Sequence, residues 1–320
     1  FYILGSYLKK MKGIQDTPET TYSVTVDDSG ATLGPDDWEP SEHRLSPSKI
    51  NLFLQCPRAF YYKYIEKLPD KLTLHLFRGT IVHNILEDIF EQKFKSPTLW
   101  RDGEPQEWAL LQFRKQWAER KAKMPYIFED PNIDADVMER ETIQLLINFC
   151  GKVEKKLEEL VDWGVAKSPW MALNQLKPRF SEQRLHNKKH KIMGIVDCVV
   201  QDFEKNISIV DYKTSKRYGH WLPDDYYRQL IIYAFLYYED TGIMPQFAGI
   251  DWLRYDESYF VRITPAEVEE AQNLIRGIHD TLKERGLKKE NYELTPNNLC
   301  EWCAFYQKPC EPEIKKKRRK

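Results

Sequence analysis

Two short segments place acids and a base at spacings that could do chemistry. In GIVDCVV and ISIVDYKT, Asp197 and Asp211 lie on neighbouring runs of strand-forming residues, and Lys213 follows Asp211 by two positions. Side chains alternate along a strand, so Asp211 and Lys213 share a face. If the intervening DFEKN is a turn centred on Glu204, antiparallel pairing joins Val199 to Ile209 and sets Asp197 opposite Asp211, with Cβ atoms roughly 5 Å apart. Two carboxylates that close force one to take a proton unless a cation offsets them. Hard oxygen ligands suit Mg²⁺ or Mn²⁺, which keep open positions for water and phosphate oxygens. Lys213 could then orient an attacking water or stabilise charge developing on phosphorus. A surface ladder of Asp and Lys without a metal is the competing reading of so short a pattern.

Other candidate groups lie on helices. Gln229 and Tyr233, four apart in PDDYYRQLIIYAFLYYEDTG, share a helix face and could hold a phosphate or the carboxylates. His83 falls at the edge of the apolar stripe Ile81, Val82, Ile85, Leu86, Ile89 and Phe90, and offers the imidazole nitrogen most often used to bind metals. Of the cysteines, Cys150 and Cys198 read as core residues. Cys300, Cys303 and Cys310 cluster near one end of the chain and Cys56 stands alone near the other. With no secretory leader ahead of them, metal ligation is expected rather than disulfides. Zinc and an iron-sulfur cluster both remain open on spacing, with base rates leaning to zinc. Phe60, Tyr61, Trp302, Phe305 and Tyr306 are expected to shield the thiols.

These groups need elements to position them. A helix is expected through SPSKINLFLQCPRAFYYKYIEKL, capped by Ser46 or Ser48, and a second through GTIVHNILEDIFEQKF. Two more amphipathic helices follow, around WALLQFRKQWAERKAKM and from Asp134 to Trp163. The period changes from helical to two at Arg179, giving a three-stranded meander, the helix carrying Gln229, and a hairpin turning at Asp256 and Glu257. The last long helix opens on a capping box, Thr264 with Glu267, and Pro265 in its first turn. The chain has 320 residues, 42% of them hydrophobic and 30% charged, which excludes a disordered or fibrous protein. No apolar run approaches the roughly 20 residues of a membrane span. With no basic leader either, a cytoplasmic protein is expected. The net charge of -1 conceals two blocks: Gly13 to His43 holds eight acids and no Lys or Arg, and Lys315 to Lys320 are all basic.

Taken together and in order, SPSKINLFLQCPRAFYYKY, GTIVHNILEDIF, GIVDCVV, IVDYKTSK, RQLIIY and the terminal cysteines resemble the RecB-like branch of the PD-(D/E)XK nucleases, specifically its iron-sulfur members. These include the AddB nuclease domain and CRISPR-associated and phage exonucleases. The resemblance implies an α/β fold: a restriction-endonuclease-like core with a central mixed sheet flanked by helices, a helical insertion, and an iron-sulfur lobe joining the N- and C-terminal parts. It divides the chain into an acidic arm (1–43), a nuclease domain (44–310) with the insertion at about 96–176 and the lobe from about 45–68 and 287–310, and a basic tail (311–320).

The resemblance implies Mg²⁺ or Mn²⁺ held by His83, Asp197, Asp211 and the backbone carbonyl of Tyr212. Asp197, Asp211, Lys213, Gln229 and Tyr233 would form the catalytic set, with Glu182 as an auxiliary acid. Cys56, Cys300, Cys303 and Cys310 would hold a 4Fe-4S cluster, displacing zinc as the first choice. The gap from Cys303 to Cys310 is six residues where relatives often have five. The expected activity is exonucleolytic cleavage of single-stranded DNA ends, with Arg58, Tyr62 and Lys63 contacting the strand. The alternative is a DNA-end-binding or processing subunit of a repair, recombination or CRISPR spacer-acquisition complex, active only with a partner such as a helicase.

Overall fold

The computed structural model describes residues 44–70, 72–92, 103–129, 133–202, 204–216, 221–255 and 257–310. The acidic arm and the basic tail lie outside the described residues. Five strands form one sheet in sequence order: β1 (Phe180–Asn187), β2 (Ile192–Gln201), β3 (Ile207–Lys213), β4 (Phe247–Trp252) and β5 (Glu257–Arg262). The first three make the expected antiparallel meander, and Val199 pairs with Ile209 and Cys198 with Val210 in the expected register. β3 and β4 run parallel, so the sheet is mixed. A parallel neighbour needs a crossover, and the helix carrying Gln229 supplies it.

Eight α-helices flank the sheet among the described residues: α1 (Pro47–Gln55), α2 (Pro57–Phe60), α3 (Leu74–Ile89), α4 (Glu104–Lys123), α5 (Ala135–Asp162), α6 (Pro169–Leu176), α7 (Asp224–Thr241) and α8 (Pro265–Arg285). α7 is buried on nearly every side from Leu230 to Tyr237, because the sheet lies below it and α8 and α1 pack beside it. That explains an apolar run too continuous to read as a stripe. α8 opens on the expected capping box, Thr264 N donating to Glu267 Oε2 at 2.8 Å. The other face of the sheet is covered by α3 to α6, which share a separate core built on Phe77, Ile81, Phe113, Trp117, Leu145 and Leu157. Tyr212 of β3 reaches into that second core.

The first expected helix is not continuous. Ser46 caps α1 as expected, but the helix stops at Gln55 and Cys56 is extended, with φ −159° and ψ 100°. Pro57 enforces the break, since its ring disfavours helical backbone in the residue before it and it has no N–H to continue the ladder. α2 and a π-helical turn over Tyr61–Ile65 then resume the chain. The entry to α1 is fixed to β2 by a bridge in which Leu45 N donates to Lys191 O at 2.8 Å and Met193 N donates to Leu45 O at 2.9 Å.

Candidate active site

Asp211 and Lys213 end β3 on the face covered by α7, as alternation requires. Asp211 is 2% exposed, and Lys213 Nζ lies 2.6 Å from its Oδ2. Gln229 of α7 binds both, accepting from Lys213 Nζ at 3.0 Å and donating through Nε2 to Asp211 Oδ1 at 2.9 Å. The same Nε2 lies 2.9 Å from Tyr233 OH, one turn along. α7 can come this close because β2 carries Gly194 beneath it: a Cβ there would stand 2.9 Å from Leu236 Cδ1 and 3.0 Å from Tyr233 Cε1. Tyr226, one turn before Gln229, puts its ring 4.9 Å from Lys213 Nζ, a cation-π contact that orients the ammonium.

Beside this cluster the β1–β2 ladder is interrupted once, between the pairs Ser181–Cys198 and Gln183–Val196. The residues at the interruption are Glu182 and Asp197. Glu182 has a φ of 48°, in the left-handed region that costs a non-glycine residue about 1–3 kcal/mol. Val196 and Val199 both join the core under α7, so alternation along β2 shifts by one residue here. The shift turns the Asp197 and Glu182 carboxylates toward His83 of α3. His83 Nδ1 lies 3.3 Å from Asp197 Oδ1 and 3.9 Å from Glu182 Oε1. One ligand atom from each of these three residues falls within 4.8 Å of the others. Asp197 Oδ2 also accepts from Tyr212 N at 2.8 Å, which ties the acid to β3.

Electrostatically the site carries excess negative charge. Burial pushes the Asp211 carboxyl up to about 6 against the pull of Lys213, with Asp197 adding to the rise. Glu182 is also raised, first by burial and then by Asp197 and Glu87. Burial opposes the charge on His83, but the hydrogen bond and charge of Asp197 outweigh it and raise the imidazole. Lys213 is raised in the same way by Asp211. The Tyr233 phenol is held protonated, by burial first and then by the Asp211 and Asp197 charges. Three carboxylates faced by one lysine and an imidazole suit a divalent cation with oxygen and nitrogen ligands. Asp211 Oδ2, buried and lacking a well-angled hydrogen bond despite its nearness to Lys213, has a lone pair to spare for one.

A model of the PD-(D/E)XK nuclease superfamily matches residues 44–310. The chain belongs to that superfamily. The fold described above is its restriction-endonuclease-like α/β fold. Among solved structures the chain is similar to a protein from Eubacterium rectale named "Putative exonuclease", at 12% identity and a TM-score of 0.45 over 86% of this chain and 93% of that one. So distant a likeness adds no weight to the family match. No curated protein matches.

Within this nuclease domain the structure brings together His83, Asp197, Asp211, Lys213, Gln229 and Tyr233. It adds Glu182 to the group nearest His83, while the Asp211 carboxylate is turned toward Lys213 and Gln229. Cys56, Cys300, Cys303 and Cys310 line one small cavity, although Cys56 precedes the others by most of the chain. Cys56 reaches it from the break before Pro57. Burial, with Cys56 and Cys300 close by, raises the Cys303 thiol against a backbone hydrogen bond from Phe305, and Asn297 N donates to Cys300 Sγ at 3.3 Å.

The surroundings of these thiols differ from expectation. Phe305 and Tyr306 pack around them, but Phe60 belongs to the main core and Trp302 is 68% exposed, so neither shields them. Arg58 and Tyr62 are not placed to touch a DNA strand. Arg58 is buried and donates through Nε to Tyr292 O at 2.8 Å, stapling the two halves of the lobe, and Tyr62 is 1% exposed beside Phe305. Both follow the Pro57 break, which turns them inward. Lys63 is partly exposed and pairs with Asp70. Tyr226 was missed, although its spacing from Gln229 and Tyr233 puts it on their face. Among the described residues no helix is long and apolar enough to cross a membrane.

Proposed function

We propose that this chain is a metal-dependent exonuclease that hydrolyses phosphodiester bonds at single-stranded DNA ends and carries a 4Fe-4S cluster. The observation that carries the reading is the meeting of His83, Glu182 and Asp197 beside the Asp211–Lys213–Gln229 cluster at the end of β3. His83, Glu182, Asp197 and Asp211 would hold Mg²⁺ or Mn²⁺, which when bound would supply Lewis acidity and offset the charge of the scissile phosphate. Lys213 would stabilise charge on the phosphate and orient the attacking water. Gln229 holds Lys213 and Asp211 in place, and the neutral Tyr233 phenol fixes Gln229 in turn. Lys63 and the basic tail would attract the strand.

For the lobe, the reading is supported by Cys56, Cys300, Cys303 and Cys310 lining one small cavity, a one-plus-three set that the resemblance to iron-sulfur nucleases assigns to a cluster.

The test uses single-stranded DNA labelled at either end, with Mg²⁺ or Mn²⁺, and protein purified without air. Wild type should degrade it and Lys213→Ala should not, while the label reports polarity. Cluster-loaded wild type that cuts nothing would sink the reading in favour of a partner-dependent subunit.

A further inference from the structure

The seam between the helical layer and the sheet is not close-packed apolar surface. Cavities of about 210 and 300 Å³ lie along it, and both are lined by Phe149 and Lys152 of α5 and by Asp251 of β4. Polar contacts cross between them. Lys152 Nζ donates to the two Asp251 carboxylate oxygens at 2.8 and 3.0 Å, and to Ser258 Oγ at 3.3 Å. Asn148 Nδ2 reaches Arg254 O at 3.4 Å. Glu141 receives both arms of the Arg254 guanidinium, at 3.0 and 2.6 Å. At about 100° per residue, positions 141, 148 and 152 fall within about 40° of one another on α5. A helix docked by burial alone would carry apolar residues on that strip.

The end of the strip connects to the candidate active site. Arg78 of α3, 5% exposed, points one guanidinium nitrogen at Glu141 Oε2, 3.6 Å away, and donates another to Thr214 O at 2.9 Å. Arg78 lies on the helix that carries His83, and Thr214 follows Lys213 directly. Leu253, beside Arg254, donates its N–H to Lys213 O at 3.1 Å. Glu141 therefore ties the helix of His83, through Arg78, to the chain that follows β4, through Arg254, while Arg78 itself reaches the chain that follows β3.

We propose that Glu141 is a positioning residue, which through Arg78 and Arg254 sets His83 of the helical layer over the carboxylates of the sheet. The metal ligands are split between two layers that meet across a partly hollow seam, so their separation depends on these polar ties. The inference rests on the metal-site reading above.

The test is a double-mutant cycle on Mn²⁺ affinity, measured by calorimetry on the cluster-loaded full chain without nucleic acid. Glu141→Gln keeps the shape and removes the charge, and should weaken Mn²⁺ binding roughly tenfold, as loss of a supporting partner around a metal ligand does. In a His83→Ala background the same change should have no further effect, because Glu141 acts through His83. Equal losses in both backgrounds would mean a general loosening and would overturn the proposal, as would no loss in either. Wild type without Mn²⁺ binding would overturn the metal-site reading itself, and the inference with it. If circular dichroism shows Glu141→Gln unfolded, Arg254→Lys repeats the cycle with the charge kept and the fork lost.

Discussion

Burying Asp211 should leave a measurable signature on the stability of the metal-free protein. The carboxyl is raised from 3.8 to about 6 because burial outweighs the attraction of Lys213. A group that holds its proton more tightly when folded stabilises the fold at low pH, and that contribution is lost as the pH rises through about 6. Roughly two pK units correspond to at most about 3 kcal/mol. Other acids titrate in the same range, so the quantity to measure is a difference. Asp211→Asn removes this titration while keeping the oxygen that accepts from Gln229 Nε2.

With EDTA present, wild type should lose about 2 kcal/mol more than Asp211→Asn between about pH 4.5 and 7, the part of the contribution that falls above about pH 4.5. At roughly 2–4 °C per kcal/mol that is about a 4–8 °C difference in melting temperature. Urea unfolding at the two pH values gives the same comparison in free energy. Mn²⁺ added at pH 7 should recover part of the loss in wild type, since a cation offsets the ionised carboxylate. Parallel pH profiles for the two proteins would refute the burial reasoning, and a relative gain by wild type as the pH rises would reverse its sign.

The raised imidazole of His83 gives a second window. Its stabilising charge is present below about 6.5 and lost as the pH rises through the higher folded value, so metal-free wild type should fall relative to His83→Ala in melts between about pH 6 and 8. Gly194→Ala would drive a methyl into Leu236 and the Tyr233 ring, at 2.9 and 3.0 Å. It should cost about 1–3 kcal/mol in urea unfolding and slow single-turnover cleavage, with equal activity the result that counts against the Tyr233 role. Cys310→Ser should bleach the visible band near about 400 nm and lower the melting temperature of the whole domain, because the thiols join segments from both ends of the chain. An unchanged melt would separate the lobe from the fold. Deleting Lys315 to Lys320 should flatten the salt dependence of single-stranded DNA binding, by up to roughly 0.7 in logarithmic slope per lysine or arginine that contacts phosphate.

What the sequence disclosed follows from which interactions leave a local or periodic trace. The meander register was legible because a short turn and two-residue alternation together fix which residues face each other, and Asp211 and Lys213 inherit their faces from it, while Gln229 and Tyr233 share theirs through the four-residue helical spacing. The break at Cys56 was legible too, from Pro57, and overlooking it carried Arg58 and Tyr62 onto a surface they do not occupy. Exposure is a property of the packed chain, and no spacing of Arg and Tyr says which way a kink turns them. Glu182 is subtler. Regular alternation would put Val196 and Asp197 on opposite faces, and only the shift opposite the Glu182 left-handed backbone lets Asp197 serve the site while Val196 stays in the core.

The ties from Glu141 to Arg78 and Arg254 had no trace at all. An ion pair between distant segments needs neither period nor neighbour, and on α5 its residues look like the solvated face of an ordinary amphipathic helix. That same helix holds Glu141, which ties Arg78 of the His83 helix to Arg254 after β4. In a site whose ligands come from two layers, the layer without the acidic motif still governs the geometry, because a metal-ligand distance is set by both of its ends.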